Sequence, residues 1–326
     1  MSFDLNSLSA YTNELSTELV TRAVLKPQSV QNLSQRIGLT AGSTAINILG
    51  SNNYIIPYDC GFGDAQTGPG GATGNATVFT QQNLIVGTKM LKEVLCPNEL
   101  RQYWLSSQMS ASAYQETVPF EQAIADLKVK YINKYIEQTI WQGDGVGGAF
   151  GLDGLQFQTS VGEGAIDGIA FAAGFASAST AYAAFWNMVD ELAAANPEVL
   201  QEDDLIAYVS YATYSKLVQA LQNKGNAILL QYPNISNVSG SPENSFIWPG
   251  TNIKVFAAPG ITDTGSPLAP TVILGPKKYA FFGTGLMDDQ DKFKFYYDPS
   301  QDNVKFLAAF RMGTAAIADQ FISTVA

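Results

Sequence analysis

Leucines at 5, 8, 15 and 19 recur at helical spacing through a polar background, which predicts a short amphipathic helix ending before Pro27. From Ser29 to Asn53 the apolar residues scatter and glycines fall at 38, 42 and 50, the texture of an extended arm whose partners lie elsewhere. Two strand-like runs follow, Tyr54 to Tyr58 and Thr77 to Lys89, separated by a segment with glycine at 61, 63, 68, 70, 71 and 74. That connection is far too long for a tight turn, so the pair reads as a protruding hairpin with a pliable tip. An isolated two-stranded ribbon is marginal in water, and this one is expected to lean on another chain.

The clearest helical period runs from Pro119 to Trp141. Phe120, Ile124, Leu127, Tyr131 and Tyr135 form one stripe, widened by Ile132, Ile136 and Ile140. Glu121 and Asp126 fall early and Lys128, Lys130 and Lys134 later, matching the helix dipole, and Gly143 stands where a C-terminal cap belongs. At 1.5 Å per residue such a rod is about 35 Å long. A glycine-rich stretch then leads into a mixed unit. Tyr182, Phe185, Val189 and Leu192 mark a helix ahead of Pro197, Leu205 to Tyr211 a buried strand, and Tyr214, Leu217, Val218 and Leu221 a second helix. Ile253 to Phe256 is a short strand between loops. The chain closes on strands at Thr271 to Leu274, Tyr279 to Phe282, Lys292 to Tyr297 and Val304 to Met312. The fold class is therefore α+β.

Composition narrows the function. The 326 residues are enough for two domains, and only 14% are charged, against about 25% in an average soluble domain. Eighteen basic against 29 acidic residues leave a net charge of -11, which argues against a protein that grips nucleic-acid phosphates. There is no histidine, which removes the usual general base, the commonest metal ligand and every histidine-activated nucleophile. Cys60 and Cys96 are too few for a zinc site or a disulfide framework and read as reduced thiols. No basic and apolar leader opens the sequence, and no apolar run has the length of a membrane span, so a cytosolically made protein with no membrane partner is expected.

The remaining candidate chemistry is thin. Gly143, Gly145 and Gly148 match the dinucleotide fingerprint formally, but a helix precedes them where the motif needs a strand. Two acidic clusters, Glu202-Asp203-Asp204 and Asp288-Asp289-Gln290-Asp291, read as solvated turns, with calcium or magnesium binding as the alternative, although neither has EF-hand spacing. Arg311 lies inside an apolar run, where a guanidinium must reach solvent or a carboxylate. An edge-strand surface position and a salt bridge across a subunit boundary both satisfy it. No catalytic, cofactor-binding or metal-binding residue is assigned, no cofactor is expected, and the chain is read as not an enzyme.

The order of parts carries more information than any motif. Leu84-Ile-Val-Gly-Thr-Lys89 ahead of the long helix, Ile140-Trp-Gln-Gly-Asp-Gly145 followed by Gly151-Leu-Asp-Gly-Leu155, and the run Ile206 to Leu217 are similar to the corresponding parts of the HK97-like major capsid proteins of tailed bacteriophages (Caudoviricetes). The ending, from Val272-Ile-Leu-Gly275 through Tyr279-Ala-Phe-Phe282 to Val304 to Gly313, resembles that family's ending, so the likeness spans the whole chain. It implies an N-arm over residues 1–50, an E-loop over 51–90, and a first part of the P-domain over 91–150 with a spine helix at about 119–141. It further implies an A-domain over 151–282, P-domain return strands over 283–313, and a C-terminal strand over 314–326 rejoining the A-domain. The function implied is self-assembly into the hexamers and pentamers of an icosahedral head that encloses double-stranded DNA without sequence-specific binding. The expected location is the virion, after assembly in the host cytoplasm. Scaffolding, portal and decoration proteins are the further partners it implies, and with no long N-terminal segment visible a scaffold would be a separate protein. The hairpin tip from Gly68 to Gly74 contains no lysine, and covalent cross-linking is not expected. Two rivals stay open: an encapsulin-type nanocompartment shell with protein cargo, and a carboxylate-based carbohydrate-active enzyme or adhesin.

Overall fold

The structure, a computed structural model, describes residue 24 and residues 27–51, 77–95, 120–143, 151–160, 163–168, 174–223, 244–261, 271–285, 293–298, 300–301 and 303–324. In chain order the elements are α1 (Gln28–Gln31), β1 (Ser34–Ile37), β2 (Gly42–Ser51), β3 (Thr77–Leu95), α2 (Phe120–Gln142), α3 (Leu155–Gln158), β4 (Ile166–Asp167), α4 (Ala178–Ala195) and β5 (Leu205–Val209). They continue with α5 (Tyr211–Asn223), β6 (Ser245–Ile247), β7 (Lys254–Ala257), β8 (Val272–Pro276), β9 (Ala280–Thr284), β10 (Phe293–Asp298), β11 (Asn303–Ala316) and β12 (Ile322–Thr324). Among the described residues these form two six-stranded sheets. One runs β1-β9-β11-β3-β2 with β10 also on β11; the other runs β4-β12-β8-β5-β7-β6.

In the first sheet, β11 buries Val304, Phe306, Ala308, Phe310 and Met312 while Lys305, Leu307 and Ala309 alternate on the other side. That period of two fixes which face meets the core, and a slip of one residue would expose every one of those side chains. β3 serves two partners in turn: Thr77 to Val86 pair with β2, and Gly87 to Leu95 pair with β11. The second sheet is buried on both sides. Leu205, Ala207 and Val209 of β5 face the helix pair α4 and α5, where Phe185 stacks on Trp248 at 4.1 Å, while Ile206 and Tyr208 face the opposite way.

What lies on that opposite side is α2. Its Ile132, Ile136, Ile140 and Trp141 join Ile206, Tyr208, Phe256 and Ile273 of the second sheet and Val304, Phe306, Ala308 and Phe310 of the first in one cluster. Each fully buried large apolar side chain there contributes about 1.5–3 kcal/mol, so the helix is the common core of both sheets.

The helix and strand periods read from the sequence are found, with three informative differences. The buried stripe of α2 is Ile124, Ala125, Val129, Ile132, Ile136 and Ile140, whereas Leu127 and Tyr131 are 62% and 60% exposed. The helix has two adjacent apolar phases, and the one with the small Ala125 and Val129 lets it lie close to the strands. Gly143 is not in the left-handed conformation of a cap. It is glycine because a Cβ there would stand 2.1 Å from the carbonyl oxygen of Leu152, at a backbone crossing closed by the hydrogen bond from Gly154 N to Gly143 O, 2.8 Å. Finally, the ribbon ladder begins at Gly42, within the stretch read as arm, and β1 pairs in parallel with β9 of the same chain. Polar and apolar residues mix in β2 because a ribbon has little core to face: of residues 42–47 only Ile46 is buried. The expected strand at Tyr54 to Tyr58, the glycine-rich tip and the leading helix lie outside the described residues.

Candidate functional site

Leading into β1 the chain makes a hook, Pro27 to Ser34, wedged between α2 and the second sheet. Side chains from four directions hold it. The carboxylate of Glu137 on α2 accepts the backbone N–H of Ser29 at 2.9 Å, and Trp141 Nε1, one turn on, donates to Ser29 Oγ at 2.8 Å. Tyr208 of β5 donates its hydroxyl to Asn32 O at 2.7 Å, and Lys254 Nζ of β7 reaches Asn32 Oδ1 at 2.9 Å. Lys277 Nζ binds Gln31 O at 2.9 Å, and Ser34 Oγ donates to Lys277 O at 3.2 Å. The Trp141 and Tyr208 rings pack at 5.0 Å beneath it, and a Cβ on Gly260 would stand 2.1 Å from Glu137 O, so the 258–261 turn presses against the same point of the helix.

Glu137 is only 7% exposed. Burial pushes its carboxyl above the ordinary range, because removing a carboxylate from water disfavours its charged form, and hydrogen bonds from Ser29 and from the backbone N–H of Gln28 oppose this. It also lines a cleft of about 500 Å³ with Gln28, Lys130, Lys134, Tyr211 and Pro259. Nothing in the sequence reading singled Glu137 out. The available signal was a carboxylate between Ile136 and Ile140 on a face otherwise apolar.

The residues that the sequence did single out take structural places. Glu202 forms an ion pair with Lys278, and Asp204 accepts the N–H of Lys278 at 3.1 Å through Oδ2 and that of Lys277 at 2.9 Å through its carbonyl. This cluster therefore anchors the turn before β9 and is more than a solvated turn. The second cluster, from Asp288 to Asp291, lies outside the described residues, as do Gly145 and Gly148. Arg311 is 5% exposed on β11, which is flanked by β3 and β9, so the edge-strand position is corrected: the strand lies inside the sheet, and the aliphatic stem packs beneath Gly285. Among the described residues no group of three or more histidine, cysteine or acidic side chains is placed to hold a metal ion, and no helix is long and apolar enough to cross a membrane.

A second cleft, of about 460 Å³, opens at the root of the ribbon between β3, α3 and the end of β11. Gln158 bridges its floor: its amide nitrogen donates to Asp153 O at 2.7 Å and Thr314 O at 3.1 Å, and its oxygen accepts from Ala316 N at 2.8 Å. Asp153, Glu163 and Asp319 line it, and among the described residues no lysine or arginine does. Both clefts are lined largely by polar side chains, and the hydrogen bonds of Glu137 in one and Gln158 in the other tie distant chain segments together.

No protein-family model matches the chain, and no curated protein matches it by sequence. Solved structures do. The chain of Gordonia phage Cozz superposes with a TM-score of 0.54 at 10% identity, covering 93% of this chain and 86% of that one. The capsid of Myoviridae phage XM1 gives 0.53 at 13% identity over 90% and 89%, and the capsid of cyanophage P-SCSP1u gives 0.50 at 10% identity over 90% and 86%. At these identities the likeness is one of fold, and it extends over nearly the full length of each chain.

Proposed function

We propose that the chain is the major capsid protein of a tailed phage, a structural and non-enzymatic subunit that self-assembles into the hexamers and pentamers of an icosahedral head around double-stranded DNA. The observation that carries this is the fold shared over about nine-tenths of each chain with the phage XM1 capsid. In this reading the β2–β3 ribbon is the E-loop, and α2 is the spine of a P-domain completed by the second half of β3, β10 and β11. The second sheet with α4 and α5 is the A-domain, and the leading residues are the N-arm. Scaffolding, portal and decoration proteins, the virion as location and the host cytoplasm as place of assembly belong to the same proposal.

The ribbon is completed by neighbouring copies, and contacts that repeat between copies generate rings and closed shells. The expressed protein is expected to sediment as megadalton particles that appear as shells in negative stain and retain nuclease-protected DNA when purified from a phage lysate. A discrete small oligomer at all concentrations would refute the proposal, and particles filled with a protein cargo would transfer it to a nanocompartment shell. Deleting Gly61 to Gly74 is expected to leave far-UV circular dichroism intact while stalling assembly at capsomers, and normal shells from that deletion would defeat the E-loop assignment.

A further inference from the structure

The face of the first sheet turned away from α2 has an unusual charge. The register places Lys294 and Tyr296 of β10, Lys305, Leu307 and Ala309 of β11, and Met90, Lys92 and Val94 of β3 side by side on it. Met90, Val94 and Tyr296 are 55%, 61% and 47% exposed, and Lys92 and Lys294 are exposed beside them. Among the described residues the sole carboxylate on this apron is Asp298, which is bound to Lys305. A chain of net charge -11 thus carries a local basic surface studded with uncovered apolar side chains, a combination that marks an interface.

The complement lies on the opposite face of the same sheet. Thr314 and Ala316 continue the helix-facing set of β11 and form part of the cleft at the ribbon root, where Glu163 and Asp319 are exposed near Asp153; among the described residues no basic side chain enters the lining, and Lys89 stands at its edge beside Gly87 and Leu152. Two apolar side chains stand uncovered in that cleft as well, Ile85 at 44% and Phe157 at 45%. Copies that each carry a charge of -11 repel one another overall, so association needs local patches of opposite sign, which also set the register of docking. Opposite faces of one sheet give a head-to-tail contact that every copy can make twice.

We propose that the basic apron of one copy docks on the acidic cleft of the next, with Lys92 and Lys294 meeting Glu163 and Asp319, and Met90 and Val94 covering Phe157 and Ile85. The proposal deepens the shell reading and rests on it for the identity of the occupant.

The test uses two full-length reversed proteins, one with Lys92→Glu and Lys294→Glu, the other with Glu163→Lys and Asp319→Lys, each checked for fold by circular dichroism. Neither alone is expected to form the fast-sedimenting material of the wild type, because apron and cleft then carry like charge. An equimolar mixture is expected to restore it, since each supplies the surface that the other lacks. Wild-type particles from either protein alone, or no restoration in the mixture, would overturn the docking. If the wild type forms no shell but the two reversed proteins associate only with each other, the docking stands and the shell reading falls; absence of both defeats both. Should a reversed protein lose its fold, Lys92→Gln with Lys294→Gln replaces it, and assembly is then expected to lose much of its sensitivity to added salt, an unchanged sensitivity overturning the proposal.

Discussion

Glu137 offers the sharpest perturbation, because its charge and its hydrogen-bonding role separate cleanly. Glu137→Gln keeps an oxygen for the Ser29 N–H and removes the charge; Glu137→Ala removes both. An orphaned buried N–H costs about 1–3 kcal/mol, and in a chain of this size about 2 °C of Tm accompanies each kcal/mol. The alanine protein is therefore expected to melt about 2–6 °C lower than wild type. The sign of the pH effect follows from the raised folded-state pKa. The folded protein holds the Glu137 proton more tightly than the unfolded chain, whose value is the ordinary 4.5. The contribution of Glu137 is thus fully present below 4.5 and is lost as pH rises through the folded value. Above that window the buried carboxylate weakens the fold, and the stability difference between wild type and the glutamine protein is expected to shift in favour of glutamine as pH rises. Calorimetry of unassembled protein at several pH values from 4 to about 9 measures it. A wild-type-minus-glutamine difference that does not change with pH, or a glutamine protein as unstable as the alanine one at high pH, would refute the reasoning.

Gly143→Ala and Gly154→Ala each place a methyl group within 2.5 Å of backbone across the same crossing and are expected to cost about 1–3 kcal/mol or more through forced displacement, read as lower soluble yield and Tm. Tyr208→Phe removes the hydroxyl that holds Asn32 O and is expected to cost about 1 kcal/mol in denaturant unfolding. Asp298 is held down to about 2 by hydrogen bonds from Lys305 and Ser300. What it adds to the β10–β11 end is present above the ordinary 3.8 and lost as pH falls through about 2, and Lys305→Ala is expected to move its NMR titration back toward 3.8.

Much of this architecture is written in side-chain period. The alternation in Val304 to Met312 and the run Leu205 to Val209 declare strands because each faces a core on one side or both, and the helix over 120–142 declares itself by a stripe that two sheets share. Where burial is one-sided or slight, the signal fades. β2 looked like arm because a ribbon buries almost nothing, and Leu127 and Tyr131 looked like core because a helix with two apolar phases does not say which one its neighbours take. The hook was invisible for another reason: Ser29, Asn32, Glu137, Trp141 and Tyr208 meet only after chain segments more than 100 residues apart have folded together. The tie between Glu202, Asp204 and the 277–278 turn was hidden in the same way, since an acidic run reads alike whether it meets water or a distant lysine.

The continuity of one strand in the first sheet bears on how the chain can move. β3 is a single strand of 19 residues, roughly 60 Å end to end at about 3.3 Å per residue, and its near half is locked by nine successive pairings to β11. With no break between the two halves, the ribbon has no joint at its base. Force applied at its far end is carried along the strand into the β11 ladder, so a pull on the ribbon is felt by the body of the chain.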